Sequence, residues 1–165
     1  MADELLNLDN LRAVLEEYGR AVAAQYVENL KRDNRPASGQ LINSITTRVV
    51  TDGGDYVVQM DLAKYWKYIE YGTKGWLTGN TSRKMPPVSA ILEWIQVKPN
   101  FPRPATLQKQ KSLAFLIARK IRDFGTQGRA DLTEAKMEVT EQWKARIEEA
   151  LQHDMRNYIR KVLAR

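Results

Sequence analysis

The chain has no cysteine and one histidine, His153. Disulfides and thiolate metal sites are therefore excluded, and a reducing compartment is compatible. A zinc site would need carboxylates around that one imidazole, and its helical neighbours Glu149 and Asp154 do not form a ligand motif. A serine–histidine triad has no support, because no nucleophile-elbow glycine motif occurs. Gly53-Gly54 and Gly72-Thr-Lys-Gly75 lack the Walker spacing and do not stand between a strand and a helix, so turn chemistry accounts for both. No apolar run approaches the roughly 20 residues of a membrane span. The start, Met-Ala-Asp-Glu-Leu-Leu-Asn, is acidic and has no signal-peptide pattern. The expectation is a soluble protein, not exported by a cleaved signal, with no catalytic residue, cofactor or metal.

What is present is a chain of 165 residues, 43% hydrophobic, enough to bury a core. Its net charge of +6 is unevenly spread. Residues 1–62 carry 6 basic and 10 acidic side chains, residues 63–129 carry 13 and 3, and residues 130–165 carry 7 and 7. One middle block thus holds the positive excess, a net of +10. It suits nucleic acid or an acidic protein face, with a solvated lysine-rich surface as the plain alternative.

Periodicity predicts an α+β chain, mostly helical, with one small antiparallel β-hairpin and a long C-terminal helix. Leu11, Leu15, Tyr18, Val22, Tyr26 and Leu30 step by three or four, so a first helix spans about Leu8 to Arg32. Asn7 or Asp9 can cap it, and Ala21, Ala23 and Ala24 keep one side thin. Asp33-Asn-Arg-Pro-Ala-Ser-Gly39 ends it, and Leu41-Ile42 suggest a single helical turn. The period then changes to two. Residues 45–51 and 56–62 read as strands joined at Asp52-Gly-Gly-Asp55, where the glycines supply the positive φ of a tight hairpin turn. A lone hairpin is marginal in water and needs a cover.

An aromatic segment at 63–71 reads as a short helix ended by Gly72. Residues 73–85 have the glycine, small polar and basic composition of a mobile surface arm. Pro86-Pro87 then opens a helix with the stripe Val88, Ile91, Leu92 and Ile95. Pro99, Pro102 and Pro104 mark an extended linker. The next helix, from near Thr106 to Phe124, carries the apolar stripe Leu113, Leu116, Ile117, Ile121 and Phe124, with Gly125 just past its end. Asp131, with Glu134 three residues on, suits an N-cap. From there to Arg165 the pattern predicts one helix of about 34 residues and about 50 Å, with a break near Gln152–Asp154 as the alternative. Such a length exceeds a compact domain of this size, which points to an inter-subunit contact. The domain reading is 1–130 followed by a C-terminal helix at 131–165.

Three groups of side chains are the candidates for function. Tyr65, Trp66, Tyr68 and Tyr71 are clustered at helical spacing, which favours core or interface packing over stacking on bases. Glu70 within the cluster suits a cap or a lysine partner better than acid catalysis. Arg83, Lys84, Arg119, Lys120 and Arg122 are candidate basic contacts for phosphates or acidic protein, and Lys109, Lys111 and Arg129 extend the run. Glu93-Trp-Ile-Gln-Val-Lys98, with Asp61, faintly echoes a metal-dependent nuclease site, but such a site needs its acids on strands.

The order of parts resembles a known family. The first helix precedes Ser38-Gly-Gln-Leu-Ile-Asn-Ser-Ile45, a hairpin follows, then Tyr68-Ile-Glu-Tyr-Gly-Thr73, then Met85-Pro-Pro-Val88 after a loop. This set is similar to the minor tail, head–tail joining or tail-completion proteins of tailed bacteriophages. Leu113-Ala-Phe-Leu-Ile-Ala-Arg-Lys-Ile121 and Gly125-Thr-Gln-Gly128 look like the version in phages and prophages of gut bacteria, including crAss-like phages. The resemblance covers about residues 8–130 and does not extend to the C-terminal helix. It implies a virion structural protein without enzymatic activity, assembled in the host cytoplasm. Copies would form a homo-oligomeric ring in the neck or tail, between the portal or adaptor and neighbouring tail proteins, around the DNA channel. Tyr65, Trp66, Tyr68, Glu70, Tyr71, Gly72, Pro86 and Pro87 would serve assembly. The implied partners are proteins, with non-specific contact to genomic DNA and no membrane. A basic, sequence-independent nucleic-acid-binding module is the alternative, and a nuclease using Asp61, Glu93 and Lys98 is a third reading.

Overall fold

A computed structural model describes residues 8–32, 38–82 and 84–164. In chain order the elements are α1 (Asp9–Arg32), α2 (Gln40–Ser44), β1 (Thr46–Asp52), β2 (Asp55–Asp61), α3 (Trp66–Glu70), β3 (Gly72–Lys74), α4 (Val88–Val97), α5 (Leu107–Phe124), β4 (Gly125–Gln127) and α6 (Asp131–Leu163), with a 3-10 turn at Trp76–Thr78. The α+β class, the hairpin and the unbroken C-terminal helix are as the periodicity predicts. No helix among the described residues is long and apolar enough to cross a membrane. The chain divides into two compact units, one of Met1–Asn29, Ile45–Leu62 and Leu132–Arg165, the other of Leu30–Ser44 and Ala63–Asp131.

In the first unit, β1 and β2 pair antiparallel from Thr46↔Asp61 to Asp52↔Asp55. The two-residue turn between them is Gly53-Gly54, both at positive φ. Alternation then sorts the faces. Thr47, Val49 and Val58 share one face, and α1 lies against it at Gly19. A Cβ at Gly19 would stand 2.9 Å from Val58 Cγ1 and 3.3 Å from Thr47 Cβ. The thin point of α1 is thus a glycine, where the sequence pointed to the alanines at 21, 23 and 24. On the opposite face Gln59 links the ion pair of Arg48 and Asp61. Among the described residues neither strand has a further partner.

The stripe predicted for α1 holds: Val22 and Tyr26 are buried, and Leu11, Leu15 and Tyr18 are half-buried. Helix α6 runs antiparallel to it. The Tyr18 and Thr140 hydroxyls lie 2.7 Å apart, the Tyr18 ring meets the edge of Trp143, and Arg146 pairs with Glu17. Arg146 also stacks over Trp143. At the far end Asp154, fully buried, accepts from Asn10 Nδ2 at 2.6 Å and from the Leu11 backbone N–H at 2.9 Å.

That last contact explains how α1 begins. The first N–H groups of a helix have no partner within it. The residue before Asp9 is a leucine, which has no side-chain acceptor, and Asn7 lies outside the described residues. Asp154 supplies the acceptor from 143 residues away, and its charge suits the positive end of the helix dipole. It also holds α6 in register where a break was the alternative.

In the second unit, Ile95 of α4 and Ala114 and Ala118 of α5 are fully buried. This corrects the apolar stripe expected of α5. Leu116 is 49% exposed and Phe124 57%, and the face turned inward is Ala114, Ala118 and the half-buried Leu113, Ile117 and Ile121. Small side chains at the centre let the helix pack closely, and the bulkier residues are left outside. Helix α4 keeps its predicted stripe, and Trp94 meets Phe101 edge-on at 5.0 Å. The helix ends fall within a residue or two of expectation, the ordinary spread, except that α3 starts at Trp66, three residues after the expected 63. Thr106 caps α5 by accepting from Lys109 N–H, and α6 begins at Asp131, the position that suits its cap in the sequence.

Replacing Asp154 with alanine should lower stability by about 1–2 kcal/mol, the ordinary value of a helix cap. Asp154→Asn, which keeps one acceptor, should recover part of it. Urea midpoints measure both, and an alanine variant as stable as the parent would remove Asp154 from this role.

Candidate functional site

Two Gly-Thr-x-Gly segments, Gly72–Gly75 and Gly125–Gly128, cross in the second unit as β3 and β4. They pair antiparallel with Gly72↔Gln127, Thr73↔Thr126 and Lys74↔Gly125. The two threonine hydroxyls lie 3.0 Å apart, and Thr73 Oγ1 also accepts from the Thr126 N–H at 3.1 Å. Each segment leaves the end of a helix, α3 through Tyr71 and α5 directly, and each turns on a glycine at positive φ, 69° at Gly72 and 79° at Gly125.

The crossing is reciprocal. A Cβ at Gly72 would overlap the Thr126 carbonyl, and one at Gly125 would overlap that of Thr73. A Cβ at Gly75 would strike the backbone of Asp123–Gly125, and one at Gly128 the backbone of Glu70–Gly72. All four glycines are required by the closeness of the two backbones. Thr78 closes the turn that follows β3 by accepting from Gly75 N–H at 2.7 Å, and Asn80 Nδ2 donates to the Lys74 carbonyl at 3.0 Å. On the other side the Ala130 N–H donates to the Glu70 carbonyl at 3.1 Å.

The stretch after Gly72 is therefore not an open arm throughout, as its composition suggested. Its first part is strand and 3-10 turn, because Gly125–Gln127 pairs with it. The local signal was visible: the same Gly-Thr-x-Gly pattern occurs twice, 53 residues apart. Only the pairing, a non-local fact, gives it meaning.

Around this clasp stand the predicted assembly residues. Tyr68 is 64% exposed and Tyr71 69%. Trp66 is half-buried, its ring tilted against that of Tyr71 with centroids 6.1 Å apart, and the Lys67 ammonium lies 5.9 Å from the Trp66 centroid. Partial burial raises the Tyr65 phenol above its usual range, against a smaller opposing effect of the Leu41 backbone. Glu70 is 2% exposed, a buried carboxyl and not a rim residue. Pro86 is half-buried, and the Pro87 carbonyl accepts from Ile91 N–H at the start of α4. Trp76, Leu77 and Phe124, which the sequence reading did not single out for assembly, are also exposed next to the clasp.

The basic candidates divide. Arg119 and Lys120 are exposed on α5, and Lys84 is exposed before α4. Arg83 lies outside the described residues. Arg122 is engaged: its Nε and Nη2 donate to the two carboxylate oxygens of Asp123 at 2.7 and 3.1 Å. That hydrogen bond raises the Arg122 guanidinium and lowers the Asp123 carboxyl. A lowered carboxyl contributes stability above its ordinary range and loses it as pH falls through the lowered value. Glu93 lies on α4 and Lys98 at its C-terminal end, so neither is carried by a strand. No cluster of three or more potential metal ligands occurs among the described residues.

No protein-family model, curated protein or solved structure matches this chain.

The glycines allow a controlled test. Gly53 and Gly125 both have positive φ, but a Cβ at Gly53 meets open space. Gly53→Ala should cost about 1 kcal/mol from backbone strain alone. Gly125→Ala and Gly72→Val should cost about 3 kcal/mol or more, since the strands must also part. Lys74→Ala, one exposed charge, should change melting little. Equal losses at Gly53 and Gly125 would show that the close crossing does not exist.

Proposed function

We propose that this chain is a structural subunit of a tailed-phage virion, in which copies form a ring in the neck or tail. The ring joins the portal or adaptor to the next tail component and continues the DNA channel, and the role is mechanical, without catalysis. The observation that carries this reading is the exposure of Tyr68 and Tyr71 beside a rigid backbone crossing. Aromatic side chains held on a stiff support are the usual anchors of protein interfaces, and exposed apolar clusters mark interaction sites. Among the described residues the hairpin has no third strand on either edge, which gives a second reason, since edge strands tend to be covered by neighbouring chains. The order of helix, hairpin, Glu-Tyr-Gly-Thr and Pro-Pro segments supports the same reading by resemblance.

Mass measured across a concentration series tests it. The parent chain is expected to self-associate. The double variant Tyr68→Ala, Tyr71→Ala should weaken association by about 30-fold or more, as loss of an aromatic anchor worth about 2 kcal/mol does, with its melting temperature unchanged. A parent chain monomeric at every concentration would overturn the ring.

The second reading, a basic nucleic-acid-binding module, draws on one observation: Arg119 and Lys120 are exposed one turn beyond Phe115 and Leu116. Titration on two unrelated duplexes at two salt concentrations separates the readings. The ring predicts weak binding, equal on both duplexes and steeply reduced by salt. Arg119→Ala with Lys120→Ala should lower it on both, and reduce the salt slope by about 2 if each touches a phosphate. Tight binding, equal on both duplexes, by a chain that stays monomeric would promote the module, and sequence-selective binding that survives high salt would overturn both readings.

A further inference from the structure

The two compact units carry opposite charge. The first holds 10 basic and 15 acidic side chains, the second 16 and 5, giving nets of −5 and +11. Each unit also carries a stripe of its own sign on one long helix, although α6 as a whole is nearly balanced, with exposed bases on its other sides. On α5, in the second unit, Lys109, Ser112, Leu116, Arg119 and Lys120 are all exposed. On α6, in the first unit, Glu138, Glu141, Ala145, Glu148 and Glu149 are all exposed. Among the described residues none of the four glutamates and three bases of these sets forms a salt bridge within 4 Å, and, behind the Arg122 hydrogen bond, the Arg119 charge acts on Asp123 one turn on as a minor cause of its lowered carboxyl.

The two sets have the same spacing. Counted from the first residue of each, the positions are 0, 3, 7, 10 and 11. Such steps of three and four place each set on one side of its helix. Each spans eleven residue rises, about 17 Å. Charge stands at both ends of both stripes; between the ends lie Ser112 and exposed Leu116 on one, and Glu141 and the small Ala145 on the other. Placed face to face in parallel, bases meet glutamates at the ends and Leu116 lies over Ala145; in the reverse direction the charged ends still meet, and Leu116 falls beside Glu141 and Gln142.

We infer that α5 of one copy docks along α6 of the next, basic stripe on acidic stripe, in a head-to-tail contact. This rests on the ring reading in that copies associate, and it names the surfaces by which they do so. The partner is a second copy of this chain because that copy offers a stripe of opposite sign and matching length. Phe115 beside Leu116 on α5 and Met137 beside Glu138 on α6, all exposed, extend the contact with apolar area. Charged rims set orientation and encounter rate, and the apolar centre holds the complex.

The test is a charge swap on the full chain. One variant carries Lys109→Glu, Arg119→Glu and Lys120→Glu. A second carries Glu138→Lys, Glu141→Lys and Glu148→Lys. Each alone should be monomeric at concentrations where the parent associates. An equimolar mixture of the two should associate again, as should a chain carrying all six changes. The parent's association should weaken at least tenfold between 50 and 500 mM salt. Circular dichroism and melting of each variant establish that the helices remain, and restoration in the mixture cannot come from misfolded chains. Variants that associate as well as the parent, or a mixture that stays monomeric when both members are folded, would overturn the contact and leave the ring standing on other surfaces. A parent that is itself monomeric at low salt would overturn both.

Discussion

The second unit depends on how closely two backbones cross. At β3 and β4 there is no room for a Cβ on either side, so the arrangement exists only because positions 72, 75, 125 and 128 are glycine. The ends of α3 and α5 are joined there, and the exposed Tyr71 and Phe124 are the residues immediately before Gly72 and Gly125. Helix ends ordinarily fray, and side chains on them are poorly placed. Here each end passes straight into a paired strand, so the aromatic side chains stand on fixed backbone. Rigidity beneath an exposed aromatic residue lowers the ordering cost of binding.

The first unit solves a similar problem by different means. Its hairpin is too small to be stable alone. It is held on α1 at Gly19, where the missing side chain lets Val58 and Thr47 approach. The start of α1 is in turn completed by Asp154 of α6. In both units the decisive contacts join residues far apart in the chain: Thr73 with Thr126, Leu11 with Asp154, Gly19 with Val58. Such topologies carry a high loop-closure cost before the contacts form.

This separation also explains what could be read in advance. The hairpin, its Gly-Gly turn, the stripes of α1 and α4 and the unbroken α6 follow from local periodicity and turn chemistry, and all were legible. The inner face of α5 was not. Leu116 and Phe124 fit a helical stripe as well as Ala114 and Ala118 do, and hydrophobicity alone favours the larger residues. Which side turns inward is decided by how near α4 and the strands come. The strand pairing of β3 with β4 was hidden for the same reason. Three residues are too few for a period-two signal, and a glycine after a helix reads equally well as a simple stop. Glu70, Tyr68 and Tyr71 were singled out together by composition, yet the structure separates them into one buried carboxyl and two exposed rings.

The distribution of charge has a consequence for symmetry. A self-complementary patch, with both signs on one surface, favours a two-fold dimer in which the same residues face each other. Here one basic stripe lies on α5 and one acidic stripe on α6, in different units. A two-fold contact between two α5 faces would set bases against bases, and one between two α6 faces would set glutamates against glutamates. Both are penalised, most strongly at low salt. The contact left favourable sets α5 of one copy against α6 of another. Head to tail, each copy uses its α5 on one neighbour and its α6 on the other, and closure of a ring satisfies every copy; a two-fold dimer satisfies both copies only where the two α5–α6 contacts form at once.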